Sequence, residues 1–287
     1  MADIKLFVCC HQPTAVPEHP LLIPIQAGAA LAEERFPGFL YDDIGDNISN
    51  KNRSYCELTA QYWAWKNITV DYYGFFHYRR YLYPDQSAKR PYCIKREPSV
   101  RLLDKLGYAQ FAELISQHDL ILPKSENMYI PVREHYAKAP FHRQKDLMLI
   151  EQIIREHYPE YEMALEEHFS DTFCYFGNIF IMGRDVFQDY CGWLFPILEE
   201  FDRRADTSGY SQQEQRVDGY LAERLLGVYI TRMRRELSVR ILELPRVHME
   251  PMGMSNLRKQ LLYYGLPPGS NRRAIVKKCV TMLRKWS

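Results

Sequence analysis

Residues 72–81 read Tyr72-Tyr73-Gly74-Phe75-Phe76-His77-Tyr78-Arg79-Arg80-Tyr81, an aromatic run that ends in a histidine and two adjacent arginines. A short, continuous apolar run of this kind is the pattern of a strand buried on both faces, and such strands belong to parallel sheets covered by helices. The preceding sequence supplies that setting. Residues 4–10 read as an apolar strand, 25–36 as a helix from their Ala, Leu and Glu content, and 39–43 as a second strand. Residues 52–67 read as a helix with Tyr55, Leu58, Tyr62 and Trp65 on one stripe. With the strand over 72–78 the order is β-α-β-α-β.

Downstream, residues 100–117 read as a helix, 119–123 as a short strand, 131–169 as helical and 173–182 as one long apolar strand. Phe187, Tyr190, Cys191, Leu194 and Leu198 form a helical stripe in which Pro196 is expected to kink or break the helix. A further helix follows over 212–226 and a strand over 239–244. The alternation predicts an α/β fold: one domain over residues 1–250, a mostly parallel sheet flanked by helices, with ligands at the carboxyl ends of its strands.

The 287 residues are 46 % hydrophobic and 25 % charged, which excludes a disordered or fibrous chain. Seven cysteines, with no Cys-x-x-Cys pair, fit neither a disulfide framework nor a zinc site and predict reduced thiols in the cytoplasm. Met1–Cys10 has no basic leader before a long apolar segment, and no stretch reaches the roughly 20 apolar residues of a membrane span.

Charge is unevenly placed. Between Pro251 and Ser287 stand eight basic residues and no acidic one, whereas residues 1–250 carry 29 basic and 36 acidic side chains. At helical spacing Ile275, Val276, Cys279, Val280, Leu283 and Trp286 share one arc, and Arg273, Lys277, Lys278, Arg284 and Lys285 the other. Residues 251–287 therefore read as a basic C-terminal extension with an amphipathic helix. Over 270–287 that helix either lies on an anionic membrane surface, on the inner face of the cell membrane, or docks on the domain with its basic face solvated. Nucleic acid is not expected as a partner, because aromatic residues do not interleave with the basic ones.

Four segments carry chemistry. The turn Asp43-Ile44-Gly45-Asp46-Asn47-Ile48-Ser49-Asn50-Lys51-Asn52 can hydrogen-bond a polar ligand, or its Asp46, Asn47 and Ser49 can cap turns and the next helix. His77, Arg79 and Arg80, at a strand's carboxyl end, suit a diphosphate, with Tyr78 or Tyr81 stacking on a base or sugar. In Gly177-Asn178, either a buried amide meets a sugar or a bulge bonds it to main chain. In the helix containing Arg216, Gly219 and Glu223, the carboxylate above a glycine gap faces a ligand or pairs with a local arginine. No P-loop, G-x-G-x-x-G, H-E-x-x-H or G-x-S-x-G motif occurs, and there is no Asp-x-Asp triplet.

Taken together, Phe7–His11, Pro24–Gly28, Asp43–Asn52, Tyr55–Thr59, Tyr62–Asn67 and Tyr73–Tyr81, with the later blocks Gly177–Met182, Trp193–Leu198 and Arg216–Leu225, resemble one family over roughly residues 4–230. It is the group of bacterial glycosyltransferases long catalogued as a domain of unknown function and found in capsular-polysaccharide and O-antigen gene clusters. The resemblance implies a GT-A-like nucleotide-sugar fold and transfer of a sugar from a UDP donor, with UDP-galactofuranose or a UDP-hexose as candidates, to a lipid-linked or oligosaccharide acceptor. Most GT-A enzymes hold Mg²⁺ or Mn²⁺ through an Asp-x-Asp motif. Here that place reads His77-Tyr78-Arg79, so no metal site is assigned and His77, Arg79 and Arg80 are expected to neutralise the diphosphate.

Tyr78, Asp43, Asp46, Asn47, Ser49, Lys51 and Asn52 join them as donor-binding candidates. His11, Gln26, Glu57, Trp65, Lys66, Gly177, Asn178 and Arg216 are candidates for sugar or acceptor contact. An inverting transfer needs a carboxylate base, for which Glu223, Glu214 and Asp218 are candidates in that order, with His77 as a further catalytic group. The alternatives are a non-catalytic nucleotide-sugar or glycan-binding module, and a membrane-associated scaffold of a polysaccharide assembly.

Overall fold

The computed structural model describes residues 2–95, 107–236 and 239–249, with the short pieces 265–266, 272–273 and 275–276. Its strands are β1 (Ile4–Cys10), β2 (Leu22–Gln26), β3 (Leu40–Tyr41), β4 (Tyr72–His77), β5 (Arg80–Leu82), β6 (Tyr92–Lys95), β7 (Leu120–Pro123), β8 (Glu126–Asn127), β9 (Phe173–Cys174), β10 (Phe180–Gly183), β11 (Ile241–Leu244) and β12 (Arg246–Met249). The main sheet runs β11-β7-β10-β4-β1-β2-β3, and within it only β10 is antiparallel to its neighbours. An extension of β5, β12 and β6 leaves the end of β4. The expected α/β architecture, a mainly parallel sheet between helices, is therefore present.

The central strands bury both faces, as the aromatic run predicts. Side chains alternate across the sheet, so Phe7, Cys9, Tyr73 and Phe75 pack against the helices Leu58–Asn67, Arg184–Arg204 and Val217–Glu236. Leu6, Val8, Cys10 and Phe76 point the other way, into a second cluster with Tyr108, Phe111 and Ile115. Phe187 bridges helix and sheet, its ring 4.3 Å from Tyr73 and 5.5 Å from Phe75. Gly74 makes room in the middle of this strand: a Cβ there would come within 2.3 Å of Leu6 Cδ2.

Several boundaries differ from expectation. The segment read as a helix over 25–36 is the end of β2 followed by the single 3₁₀ turn Ala29–Leu31. Gly28 takes φ 73°, and the backbone amides of Gly28 and Ala29 donate to the buried carboxylate of Asp42 at 2.8 and 2.9 Å, which fixes a turn in place of a helix start. The strand expected over 39–43 is reduced to Leu40–Tyr41. The helix over 52–67 is interrupted at Cys56, at φ 52°, between Asn52–Tyr55 and Leu58–Asn67. The strand expected over 173–182 is split into β9 and β10 by Gly177 and Asn178, at φ 92° and 48°.

Pro196 does not break its helix, which runs unbroken from Arg184 to Arg204. Pro196 and Gly192 both face solvent, so the carbonyl that loses its partner remains hydrated and the proline ring meets no Cβ-bearing neighbour four residues back. Of the helix expected over 100–117, Phe111–Ser116 is present and 100–106 lie outside the described residues. The amphipathic helix of the basic tail also falls outside them, apart from helical pieces at Arg272–Arg273 and Ile275–Val276. No helix among the described residues is long and apolar enough to cross a membrane.

Candidate active site

The carboxyl ends of β1, β2 and β4 open into a cleft of about 560 Å³. Cys9, Cys10 and Ala27 form its base, His11 and His77 extend from the ends of β1 and β4, and Arg53, Cys56 and Glu57 enter from the broken helix. The far wall is Gln212, Gln213, Gln215 and Arg216, just before the Val217–Glu236 helix. This is where a parallel sheet gathers side chains from several strands around a ligand.

The cationic groups here have no carboxylate partners. Arg53 and Arg216 line the cleft, whereas Arg79 and Arg80, expected there, follow the end of β4 beside His77 without lining it; none of the four forms an ion pair among the described residues, in contrast to arginines elsewhere such as Arg35, Arg133, Arg155, Arg204 and Arg240. Arg216 Nε instead lies 3.3 Å from Cys56 Sγ. Both imidazoles are kept neutral. Burial, then Arg80 and Arg79, push the His77 pKa down to about 2, and burial, then Arg216 and Arg79, lower that of His11. The Arg79 amide donates to His77 Nδ1 at 3.2 Å, so the His77 proton is on Nε2, where it can be donated. His77, expected as a charged group, is instead held neutral, and the positive charge around it belongs to the arginines.

Glu57 is the carboxylate that lines the cleft. Its Oε1 accepts from Asn178 Nδ2 at 2.8 Å, and the same amide donates to the Gly219 carbonyl at 3.1 Å. Burial raises the Glu57 pKa above the ordinary carboxylate value, the Asn178 bond opposes the rise, and the charge of Glu223 adds to it. The Gly177-Asn178 bulge is in turn held by Glu223, whose Oε1 accepts the Gly177 amide at 2.6 Å, and by Gln61, which donates to the Asn178 carbonyl at 3.0 Å. Asn178 is 3 % exposed. A positive-φ bulge in a buried strand thus aims one amide at one carboxylate.

Residues 5–235 match the family described as Domain of unknown function (DUF4422). The chain belongs to this family. No curated protein matches it. Its structure is similar to the apo structure of the WbbM bifunctional glycosyltransferase, with a TM-score of 0.82 and 31 % sequence identity. The match covers 86 % of this chain and 45 % of that one, so the chain spans less than half the length of the protein it resembles.

Within this DUF4422 domain the cleft brings together five of the residues singled out from sequence: His11, Asn52, Glu57, His77 and Arg216. Most of the turn over 43–52 is used internally. Asp43 pairs with Arg35, Asp46 accepts from Tyr62 and bonds Asn67, and Asn47 Nδ2 donates to the carbonyls of Asp43 and Gly45. Ser49 donates to Asp42, and Lys51 donates to Asp202 at 2.8 Å. Among the described residues no three His, Cys, Asp or Glu side chains are grouped to hold a metal ion, and neither Asp43 nor Asp46 lines the cleft.

Gln26 is buried and bonds the backbone of Glu34 and Phe36, and Trp65 stacks on Phe195 at 5.6 Å with Lys66 Nζ 3.5 Å from its ring. Neither group reaches the cleft. Tyr78 is buried against His77 and His11 rather than offered to a base. Sequence reading passed over Arg53, Cys56 and the glutamines 212, 213 and 215. Arg53 directly follows the polar turn, and that adjacency was the available signal.

The base candidates are also displaced from the expected arrangement. Glu214 is bonded to Ser211 and paired with Arg143, and Glu223 is tied to Gly177 and Arg224. The gap above Gly219 is filled by Cys56, whose Sγ would lie 3.1 Å from an added Cβ. Asp218 has no exposed surface and accepts from Ser54 Oγ. Burial and the nearby Asp202 charge raise its pKa from 3.8 to about 8. The unfolded chain therefore loses this proton near pH 4 while the folded one keeps it, so the stability present below pH 4 is lost as pH rises towards 8, at no more than about 1.4 kcal/mol per pH unit. Asp218→Asn is expected to flatten the dependence of Tm on pH over that window and to raise Tm at pH 8 by several degrees, as read by thermal denaturation.

Proposed function

We propose that the protein is a glycosyltransferase that binds the diphosphate of a UDP-sugar in this cleft and transfers the sugar to a hydroxyl of a glycan acceptor. The observation that carries the reading is a set of unpaired arginines, Arg53 and Arg216 lining the cleft beside the half-buried carboxylate of Glu57, with Arg79 and Arg80 next to His77 at the end of β4. Arginine matches phosphate oxygens bidentately, and preorganised positive charge stabilises the charge that develops on a departing diphosphate. The similarity to the WbbM bifunctional glycosyltransferase supports the same chemistry.

In this reading Glu57 accepts the proton of the acceptor hydroxyl as its oxygen bonds to the anomeric carbon, and the bond from that carbon to the diphosphate breaks with its electron pair leaving on phosphate. The new glycosidic bond forms on the face opposite the leaving group, which inverts the anomeric centre. Neutral His77 donates from Nε2 and carries no share of the charge. UDP-galactofuranose or a UDP-hexose as donor, and a lipid-linked glycan of capsule or O-antigen synthesis as acceptor, extend the proposal on the resemblance of the motifs. Residues 270–287 are the segment offered to an anionic membrane surface.

The test is release of UDP from UDP-galactofuranose, UDP-galactose and UDP-glucose, followed with and without added oligosaccharide. Release from one donor, increased by the acceptor and accompanied by a glycosylated product, is expected. UDP binding with no release from any donor would instead support a nucleotide-sugar-binding module.

A further inference from the structure

A second cavity of about 220 Å³ adjoins the cleft and shares Arg53 and Gln215 with it. Ser54, Asp202, Ala205, Thr207 and Val217 complete its wall. We infer that this cavity is a subsite for one neutral sugar ring of the acceptor, presented to the cleft across Arg53 and Gln215. The inference rests on the glycosyl-transfer reading and adds the place and the chemical class of the acceptor.

Three features support it. The first is a rigid carboxylate with one oxygen unused. Lys51 Nζ and Tyr55 OH both donate to Asp202 Oδ2, at 2.8 and 2.9 Å, while Asp202 Oδ1 has no hydrogen bond among the described residues. The second is the surrounding set of polar atoms. Ser54 gives its proton to Asp218 and so presents an oxygen that accepts, and the Thr207 hydroxyl and Gln215 Oε1 have no hydrogen bond among the described residues. A carboxylate, two hydroxyl groups and an amide around one ring-sized space match the several hydroxyl groups of a sugar, each both donor and acceptor.

The third feature is charge. Lys51 compensates the Asp202 charge and the enclosed Asp218 behind Ser54 keeps its proton, so Arg53, on the side shared with the cleft, is the uncompensated charge lining this cavity, whereas the larger cleft adds Arg216 and favours an anion. The larger cleft is thus the better place for the anionic donor, and the smaller cavity, its carboxylates compensated or protonated, for a neutral ring.

The experiment is saturation-transfer NMR on the full chain with methyl β-D-galactopyranoside and methyl β-D-glucopyranoside, first with saturating UDP and then with UDP-galactose. Ala205→Trp fills the cavity, and Thr207→Val removes one hydroxyl at nearly constant shape. Signals from at least one glycoside are expected with the wild type, reduced at least five-fold in Ala205→Trp and at least two-fold in Thr207→Val, with the thermal shift caused by UDP unchanged in both. They persist when UDP-galactose replaces UDP, because the donor's own sugar sits in the larger cleft.

Glycoside signals that are equal in all three proteins, or absent in the wild type while UDP still binds, would overturn the subsite. Loss on adding UDP-galactose would give the cavity to the donor's sugar and likewise overturn it. Failure of the transferase reading would look different, as loss of the UDP shift or as UDP binding with no release of UDP from any donor.

Discussion

Replacing Glu57 by Gln is expected to lower kcat for sugar transfer by about 10²–10⁴-fold, the range associated with removing a positioned general base. The substitution keeps the shape and the hydrogen-bond acceptor that Asn178 needs, since Glu57 Oε1 is the atom that takes its Nδ2 proton. It also removes a charge that burial disfavours, so Tm should not fall. UDP binding should be retained, because the groups assigned to the diphosphate are the arginines.

The pH profile separates this role from a structural one. With the Glu57 pKa above the ordinary carboxylate range, the acid limb of kcat should lie above pH 4.5, and it should disappear in the glutamine variant. His77, held near a pKa of 2, contributes no limb near neutrality. Transfer by the glutamine variant at the wild-type rate would remove Glu57 as base and return the question to Glu223, which lies across the Gly177-Asn178 bulge.

Replacing Arg216 by Met should give the converse result, a weaker donor interaction with the fold intact. Arg216 is exposed, its Nε meets a thiol rather than a carboxylate, and its guanidinium lies 5.8 Å from the Tyr220 ring. Losing these contacts costs little stability, and Tm should change by no more than about 2 °C. If the guanidinium stabilises the departing diphosphate, kcat should fall by about 10²–10³-fold, as for other preorganised groups facing a developing anion. Turnover within a factor of three of the wild type would contradict that role.

The sheet was legible because its central strands are buried on both faces and are therefore written as unbroken apolar runs, Leu6–Cys10 and Tyr72–Phe76. The ends of elements were less so. The composition of residues 25–36 hides the turn made by Gly28 at φ 73°, and the Asp42 carboxylate that holds the amides of Gly28 and Ala29 comes from a later strand end. The site was legible in kind more than in role. Gly177 and Asn178 stood out as a polar interruption of a strand, but that the amide serves Glu57, 121 residues earlier, depends on the approach of the broken helix to Gly219. The turn over 43–52 misled for the reason that makes such turns hard to read: Asp, Asn and Ser cap and bind with the same atoms.

The proposed function rests on the binding of a nucleoside diphosphate by unpaired arginines at the strand ends. Its most direct test is the Tm of the wild type against UDP concentration, in EDTA and again in Mn²⁺. A ligand that binds only the folded state at about 100 times its Kd adds about 2.7 kcal/mol, on the order of 5 °C or more for a domain of this size. That rise is expected in EDTA, reduced by at least half in Arg216→Met. A rise seen in Mn²⁺ alone, or in neither condition, would contradict it.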